Sequence, residues 1–260
     1  MMKQGETMKE DRISRWALAS MIFGIAAALV LLLSGYGYQW NWWELGVAFT
    51  WLLPASSVLA LIGLALGLVY AFARWKGSTS PSTRTAAAGV MLGIAVLATV
   101  GYWFYQAQQY PPIHDISTDI DNPPRFQAIV PLRAEASNDT TYGDQEKADA
   151  QREHYPDVQT LYLEEEYPEA FDRALEAARQ MPWEQIVTSD KEQGLIEAFD
   201  KLPWFGFIDD VVIRVDTAET RGKSKIDVRS VSRIGRGDIG VNAHRIREYL
   251  ETVRDTEEME

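Results

Sequence analysis

A cluster of aspartates and arginines within residues 204–250 contains the side chains best suited to chemistry. The cluster lies on two apolar runs, from Val211 to Val215 and from Ile226 to Ser232, and both runs alternate with polar residues. This alternation predicts two strands, and the short polar stretch between them predicts an antiparallel hairpin. Facing residues of such a hairpin are close enough for an arginine to bind a carboxylate through two hydrogen bonds. The charged residues that the hairpin would bring together are Asp209, Asp210, Arg214, Asp227, Arg229 and Arg233.

Two interpretations of this cluster follow. An arginine left partly unpaired would hold an anionic ligand, such as a phosphate or a lipid head group. Alternatively, a closed network of ion pairs would fix the hairpin and the turn after it, because buried charges normally find partners within the fold. Asn242 is a further ligand-binding candidate, and it is also the predicted N-cap of a last amphipathic helix. The apolar stripe of that helix is Ile246, Tyr249, Leu250 and Val253.

A hydrolase is the alternative to a non-catalytic binding protein. Asp209 or Asp210 would serve as the base of such an enzyme. In a second version, Ser230 or Ser232 would be the nucleophile and His244 its partner. The chain has no GxSxG elbow, no HExxH motif and no glycine-rich phosphate loop. We therefore assign no catalytic residue from the sequence.

No metal site and no cofactor are predicted. The chain has no cysteine, and its three histidines, His114, His154 and His244, are far apart in the sequence. His114 begins the acidic stretch HDISTDID, but the spacing matches no standard set of metal ligands. Asp-rich turns commonly bind their own backbone, so a structural connector explains this stretch better than a metal centre.

Three long apolar runs predict a membrane anchor in residues 1–107. The predicted transmembrane helices lie near residues 16–35, 48–73 and 86–106, and each reaches the roughly 20 apolar residues that cross a bilayer. Basic residues precede the first helix and lie between the second and third, whereas residues 35–46 contain none. By the positive-inside rule, the N-terminus is cytoplasmic and the C-terminal domain lies on the opposite side. In a Gram-negative bacterium this predicts an inner-membrane protein with a periplasmic domain.

Glycine pairs predict close packing between the apolar helices. Gly63 and Gly67 form one pair, and Gly89 and Gly93 form another. Small residues four apart let two helices approach closely, so the second and third helices are expected to pack as a hairpin. Homo-oligomerisation through the same faces is the alternative. No charged residue lies inside a predicted span, which disfavours an ion pathway or a proton relay.

Charge separates the two halves of the chain. Residues 1–107 contain seven Lys and Arg against four Asp and Glu, and residues 108–260 contain 18 against 33, so the net charges are +3 and −15. An acidic domain is unsuited to nucleic acid, because phosphate binding needs a basic face. Between Arg214 and Arg247, however, nine Lys and Arg stand against four acids. This local excess predicts either contact with anionic lipid head groups or pairing with the acidic residues at 164–176.

The predicted fold class is a membrane-anchored α+β protein. Two Pro-Pro pairs and a polar, turn-rich stretch make residues 108–157 an extended connector and surface crossing. Residues 158–260 then form a small, mainly antiparallel sheet with two packed helices, one of them beginning near Pro168. Further short strands are expected at residues 161–163, 183–187 and 195–199.

Several motifs in the second half resemble one family. They are HDISTD with NPPRF, YPD at 155–157, WFGFIDDVVIRV, and IDVRSVSRIGRGDIGVNAHRI. With them the chain resembles the bacterial and plastid domain-of-unknown-function 1499 family over residues 114–250, most specifically over residues 207–246. The resemblance implies an envelope-associated domain and assigns no activity. The predicted role is a non-catalytic envelope membrane protein that binds a protein partner or an anionic or lipidic ligand.

Overall fold

The structure is a computed structural model of the 260-residue chain. It divides into two compact units, Met1–Tyr105 and Gln106–Glu260. Three of the four basic residues expected before the first helix, together with Lys76 and the last four residues, lie outside the described residues. The structure describes residues 13–75, 80–143, 145–219 and 222–256.

The first unit contains three helices that are long and apolar enough to cross a membrane. This confirms the three predicted apolar helices, which all extend beyond their predicted bounds. The middle helix widens into a π-helical turn just before Pro54, since proline lacks the N–H that an α-helix needs. The bounds are α1 Arg15–Gln39, α2 Leu45–Val47, the π-helical turn Ala48–Leu52, α3 Leu53–Ala73 and α4 Pro81–Gln109.

The predicted glycine pairs bring all three helices together around Ser20 of α1. The Ser20 hydroxyl donates a hydrogen bond to the carbonyl oxygen of Gly63, 2.8 Å away. A Cβ atom on Gly67 would lie 2.7 Å from the same hydroxyl, and one on Gly89 would collide with the Ser20 backbone. Gly93 lies against the backbone of α3, as a close hairpin requires. The glycines therefore serve packing within the chain, and association of two copies through these faces would displace these contacts.

The second unit contains one antiparallel sheet, which confirms the predicted α+β class. Its centre is the predicted hairpin, in which Val211 faces Ser230 and Ile213 faces Val228. Strands β4 and β3 follow on one side of the hairpin, and both β1 and β2 pair with β6 on the other side. The bounds are β1 Asp115–Ser117, β2 Leu161–Leu163, β3 Gln185–Asp190, β4 Leu195–Lys201, β5 Ile208–Thr217 and β6 Ser224–Ser232.

Two helices, α6 at Tyr167–Gln180 and α7 at Val241–Asp255, cover one face of the sheet. Alternate residues of a strand point to the same side, so every second apolar residue of β5 and β6 meets the apolar stripes of these helices. Phe171, Ile246 and Tyr249 are almost completely buried there. This face, termed the helix face, contains the main hydrophobic core.

Residues 118–143 cover the opposite face, which we term the clasp face. Apart from a 3-10 turn at Val130–Arg133, no helix or strand occurs within this fully described segment. This segment adds little to an apolar core. Two of its buried residues, Phe126 and Ile129, pack on the apolar side chains of the sheet. Most of its remaining contacts with the sheet are made by charged side chains.

The stretch predicted as a connector is instead part of the folded unit. β1 belongs to the sheet, and α5 at Gln145–His154 closes its outer edge. The side-chain amide of Gln151 accepts a hydrogen bond from the N–H of Ser117 and donates one to its carbonyl oxygen. The predicted boundary at residue 157 is therefore not the start of the fold. The Pro-Pro pairs prevent a helix, but the extended chain between them is suited to an edge strand.

Candidate functional site

The sheet divides the predicted cluster between its two faces. Arg214 faces Asp227 across the hairpin, and both lie on the clasp face with Asp210. Asp209 is one residue earlier and points to the helix face. The two adjacent aspartates therefore cannot act as a pair of acids in one site.

Asp210 is completely buried and binds two arginines. Arg233 reaches both carboxylate oxygens, with its Nη2 2.7 Å from one and its Nε 3.0 Å from the other. Arg133, in the 3-10 turn, pairs with the second oxygen. Arg233 also donates from Nη1 to the carbonyl oxygen of Leu132 at 2.8 Å. These contacts tie the start of β5 to the 3-10 turn.

Arg229 makes the second connection and is only 1% exposed. Its Nε and Nη2 bind the two carboxylate oxygens of Asp115 at 2.8 and 2.7 Å. Nη1 donates to the carbonyl oxygen of Pro124 at 3.1 Å, and Nη2 donates to that of Thr140 at 2.8 Å. The guanidinium also lies 5.2 Å from the centre of the Phe126 ring. These four hydrogen bonds use most of the five N–H donors of an arginine. Arg229 therefore has no free pair of N–H groups for an external anion.

Asp227 is the buried acceptor of a third connection. It accepts hydrogen bonds from Arg214 Nη2 at 2.7 Å, from the Thr160 hydroxyl at 2.6 Å and from the Thr118 hydroxyl at 3.3 Å. Arg214 Nη2 also lies 3.1 Å from Asp119. Arg214 Nε is buried and has no hydrogen-bond partner among the described residues. Arg214 therefore has hydrogen-bonding capacity that these two acids do not use.

Glu197 of β4, which the sequence did not single out, makes a fourth connection. Its Oε1 accepts the N–H groups of Gln127 and Ala128 at 2.8 and 3.1 Å, and its Oε2 accepts that of Ile129 at 2.9 Å. Three successive N–H groups directed at one point form an anion-binding nest. Here the chain fills the nest with its own carboxylate.

Together these four connections fix residues 118–143 to the sheet, and we term them the clasps. The sequence revealed only their strand residues. The partners from residues 115–133 are distant along the chain, and no local pattern marks them. The clasp residues are Asp115, Asp119, Arg133, Glu197, Asp210, Arg214, Asp227, Arg229 and Arg233.

The helix face has its own polar network around Arg245 of α7. Arg245 Nη2 lies 2.9 Å from carboxylate oxygens of both Asp209 and Asp200. Its Nη1 donates to the side-chain oxygen of Asn242 at 2.7 Å. The Ser230 hydroxyl donates to the same oxygen at 2.6 Å. Arg245 was missed because it lies in a helix, beyond the strand pattern that defined the cluster.

The serine and histidine of the hydrolase alternative are not brought together. Ser230 and Ser232 are buried and both bond to the Asn242 amide, whereas His244 is exposed on α7. A serine nucleophile needs a base within hydrogen-bond reach. An amide is not a base, so this arrangement cannot activate either serine.

Asn242 is not the N-cap that the sequence predicted. α7 begins at Val241, and Gly240 occupies the N-cap position with a φ of 79°. The Asp238 carboxylate accepts the N–H groups of Gly240 and Asn242, both at 2.9 Å, because the glycine lets the chain turn back over the helix end. Burial raises the pKa of Asp238 to about 6. The two hydrogen bonds lower this pKa, and the negative charge of Asp209 raises it further.

A cavity of about 330 Å³ lies beside α5. Its polar groups are largely bound within the chain, as Gln151 is to Ser117 and Gln159 is to the Pro156 carbonyl oxygen. No acid or histidine lines it, so the cavity offers no general base. The lining residues are Thr118, Ile120, Gln151, Arg152, Tyr155, Pro156, Val158 and Gln159.

Within the described ranges, no three His, Asp or Glu side chains are grouped to hold a metal ion. The acids of the HDISTDID stretch bind other partners instead. Asp115 binds Arg229, and Asp119 accepts the N–H of Asn122 at 2.8 Å. Asp121 pairs with an arginine of α5.

Comparison with known proteins places the second unit in a family. No curated protein and no solved structure matches the chain. A family model described as "Protein of unknown function (DUF1499)" matches residues 115–253, which contain all six strands and every clasp residue. Because the match covers more than half of the chain, the chain belongs to the DUF1499 family of proteins of unknown function.

Proposed function

We propose that this chain is a membrane-anchored, non-catalytic protein whose DUF1499 domain works by binding. The observation that carries the proposal is that the acids best suited to catalysis are bound to arginines inside the domain. Asp210 binds Arg133 and Arg233, and Asp209 binds Arg245. A general base must lie within reach of the proton that it removes. The alternative, an envelope hydrolase that uses Asp209 or Asp210, has no comparable support.

The ligand is a protein partner or an anionic, possibly lipidic, molecule. The clasps already use most donors of Arg229 and Arg233, so an anion at those residues would have to open the fold. Arg214 is different, because its side chain is 18% exposed and its Nε has no partner among the described residues. An anionic group would bind the exposed part of this side chain and leave the contact between Nη2 and Asp227 in place. The net charge of −15 in residues 108–260 favours a partner protein with a basic surface.

The proposed location is a bacterial inner membrane, with a cytoplasmic N-terminus and a periplasmic DUF1499 domain. Three apolar helices support membrane association, and an odd number of crossings would place the two ends of the chain on opposite sides. The basic residues Arg15, Arg74 and Arg84 lie at the ends that this topology assigns to the cytoplasm. Because the chain has no cysteine, a Thr217→Cys variant can be tested with a membrane-impermeant maleimide. Labelling of intact spheroplasts is expected, and labelling only after permeabilisation would contradict the topology.

Mass spectrometry of the full-length protein in native-lipid nanodiscs tests the binding role. We expect an anionic species to co-purify with the parent and to be lost from Arg214→Gln. The matched control is Arg247→Gln, an arginine outside the clasps that pairs with the exposed Asp157. A species that stays with Arg214→Gln excludes this arginine as the binding group. Turnover of an ester or phosphoester that disappears in a folded Asp209→Asn variant would contradict the non-catalytic proposal.

A further inference from the structure

The chain enters the sheet of the DUF1499 domain at one end, which we term the arrival end. Asp115, the first residue of β1, faces Val231 near the end of β6. The N–H of Ser232 donates to the carbonyl oxygen of His114 at 2.9 Å. Because neighbouring strands are antiparallel, β6 and β4 end here and β5 begins here.

Chain length keeps the arrival end close to the end of α4. Six residues lead from Gln109, the last residue of α4, to Asp115. A fully extended chain covers at most about 3.6 Å per residue, so the two points are within about 22 Å. α4 itself has 29 residues, and its rise of about 1.5 Å per residue makes it longer than the roughly 30 Å apolar core of a bilayer. Exposed aromatic rings at 102–105, near its end, are typical of the bilayer interface.

Two turns with exposed apolar residues lie near the arrival end. The first is the 3-10 turn, where Val130 is 47% and Leu132 is 50% exposed. The second is the β4–β5 turn, residues 202–207, in which Trp204 is partly exposed. Arg233 holds the two turns next to each other, because its Nη1 binds the Leu132 carbonyl oxygen and its N–H binds that of Ile208.

Charge differs between the two ends of the sheet. At the arrival end the exposed cations Lys201 and Arg236 nearly balance the exposed acids Glu135, Asp139 and Glu184. Among the described residues, acids dominate the opposite end, where the exposed cations are Lys191 and Lys223. Anionic head groups would repel that acidic end and tolerate the arrival end. The exposed acids of the opposite end are Glu164, Glu166, Glu169, Glu192, Asp216 and Glu219.

We propose that the arrival end rests on the lipid head groups of the bilayer that α4 crosses, with Val130, Leu132 and Trp204 entering the interfacial layer. Exposed apolar residues beside a nearly neutral charge pattern suit this layer, which accepts aromatic and aliphatic side chains. The inference rests on the membrane anchoring in the proposed function. The clasps would then have a second role, because the contacts of Arg133 and Arg233 hold the 3-10 turn in position for the membrane.

The absence of cysteine from the chain allows a direct test on the full-length protein. Single variants Leu132→Cys, Thr217→Cys and Phe104→Cys would carry a fluorescent label in nanodiscs of phosphatidylcholine and phosphatidylglycerol. The nanodiscs would contain lipids with a spin-labelled head group, which quenches fluorescence nearby. We expect at least about twofold quenching at residues 104 and 132. No quenching is expected at 217, since nine residues of β5 at about 3.3 Å each place it roughly 30 Å beyond the arrival end.

A further variant separates docking from mere proximity. Val130→Glu, combined with the label at residue 132, would place a charge in the interfacial layer and is expected to abolish the quenching. Thr217→Glu is the matched control and should leave it unchanged. Quenching at 104 without quenching at 132 would overturn the docking and leave the anchoring intact. No quenching at 104 would contradict the anchoring itself.

Discussion

The two faces of the sheet are covered by different means. On the helix face, Phe171, Ile246 and Tyr249 form a continuous apolar core with alternate residues of β5 and β6. On the clasp face, a segment without its own hydrogen-bond ladder is held by arginines and by Glu197, which bind its carbonyl oxygens and N–H groups. Buried backbone groups need partners, and an irregular segment must find them outside itself. The difference teaches that charged side chains here replace secondary structure, so a charge cluster in the sequence need not mark a ligand site.

The largest effect is expected from Arg229→Ala on the clasp face. The change leaves Asp115 buried without its partner, and it also frees the carbonyl oxygens of Pro124 and Thr140. Breaking one side of a buried ion pair costs about 3–5 kcal/mol of unfolding free energy. Urea denaturation of the full-length protein in detergent, followed by circular dichroism, measures the loss. The controls are Asp115→Ala alone and the double variant with Arg229→Ala. The double variant should lose clearly less unfolding free energy than the sum of the two single losses. Additive costs would show that the two residues do not act as a pair.

Ile246→Ala is the matching change on the helix face. Removing a large buried aliphatic side chain costs about 2–5 kcal/mol, because a cavity remains where the side chain packed. Unlike a clasp variant, it should raise hydrogen exchange throughout the sheet and not selectively in residues 118–143. Hydrogen exchange measured by mass spectrometry distinguishes the two patterns. A loss of protection confined to residues 118–143 would contradict the separation of the two faces.

Asp238 should make stability depend on pH. Its folded pKa of about 6 exceeds the ordinary value near 3.9, so the folded state retains a proton that the unfolded state has released. This contribution is complete below about pH 4 and is lost as pH rises through 6, and its size is roughly 1–3 kcal/mol. Asp238→Asn cannot titrate and should remove it, which unfolding curves between pH 4 and 7 would reveal. Parallel pH profiles for the parent and the variant would exclude the effect.

Glu197→Gln tests the nest at residues 127–129. Glutamine keeps one oxygen acceptor and presents an NH2 group to N–H donors, so at least one buried N–H loses its partner. The expected cost is about 1–3 kcal/mol, with faster exchange at the amides of residues 127–129. Glu184→Gln, an exposed acid just before β3, is the control and should change neither quantity. Unchanged exchange at these amides would show that the carboxylate does not hold the segment.

The smallest effect is expected from Arg247→Ala. Arg247 pairs with Asp157, and the two side chains are 36% and 55% exposed. Exposed ion pairs contribute about 0–1 kcal/mol and weaken as salt is added. The clasps should keep their contribution in high salt, because they are buried. A salt-sensitive cost for Arg229→Ala, equal to that for Arg247→Ala, would remove the distinction between clasps and surface pairs.

The sequence predicted the elements better than the site. Hydrophobic length gave the three apolar helices, and alternation gave the β5–β6 hairpin, because both signals are local. The clasps could not be predicted in this way, because their residues are far apart in the sequence. Arg229 binds an aspartate 114 positions away, and the spacing of residues along the chain cannot show such a pairing. Alternation also implies that Asp209 and Asp210 point to opposite faces, so the sequence itself separates these two aspartates.

Pairing also explains the basic stretch between Arg214 and Arg247. Its local excess of positive charge does not form a basic surface, because most of its arginines bind acids from other parts of the domain. The acids between 164 and 176 were the expected partners of this stretch, and one of them, Glu166, pairs with Lys223. The excess along the sequence is therefore largely cancelled in the fold.

Hydrogen exchange of the full-length protein, with and without inorganic phosphate, tests most directly whether the clasps are structural. The comparison requires the parent and Arg233→Gln, a clasp variant that leaves the second arginine on Asp210. We predict that the variant speeds exchange in residues 118–143 by about tenfold or more, which corresponds to roughly 1.4 kcal/mol. Exchange in β5 and β6 should stay slow, and phosphate should not slow exchange around Arg229 and Arg233 in either protein. Slower exchange around Arg229 and Arg233 of the parent on adding phosphate, with residues 118–143 unaffected by the substitution, would contradict the account and restore the anion-binding pocket.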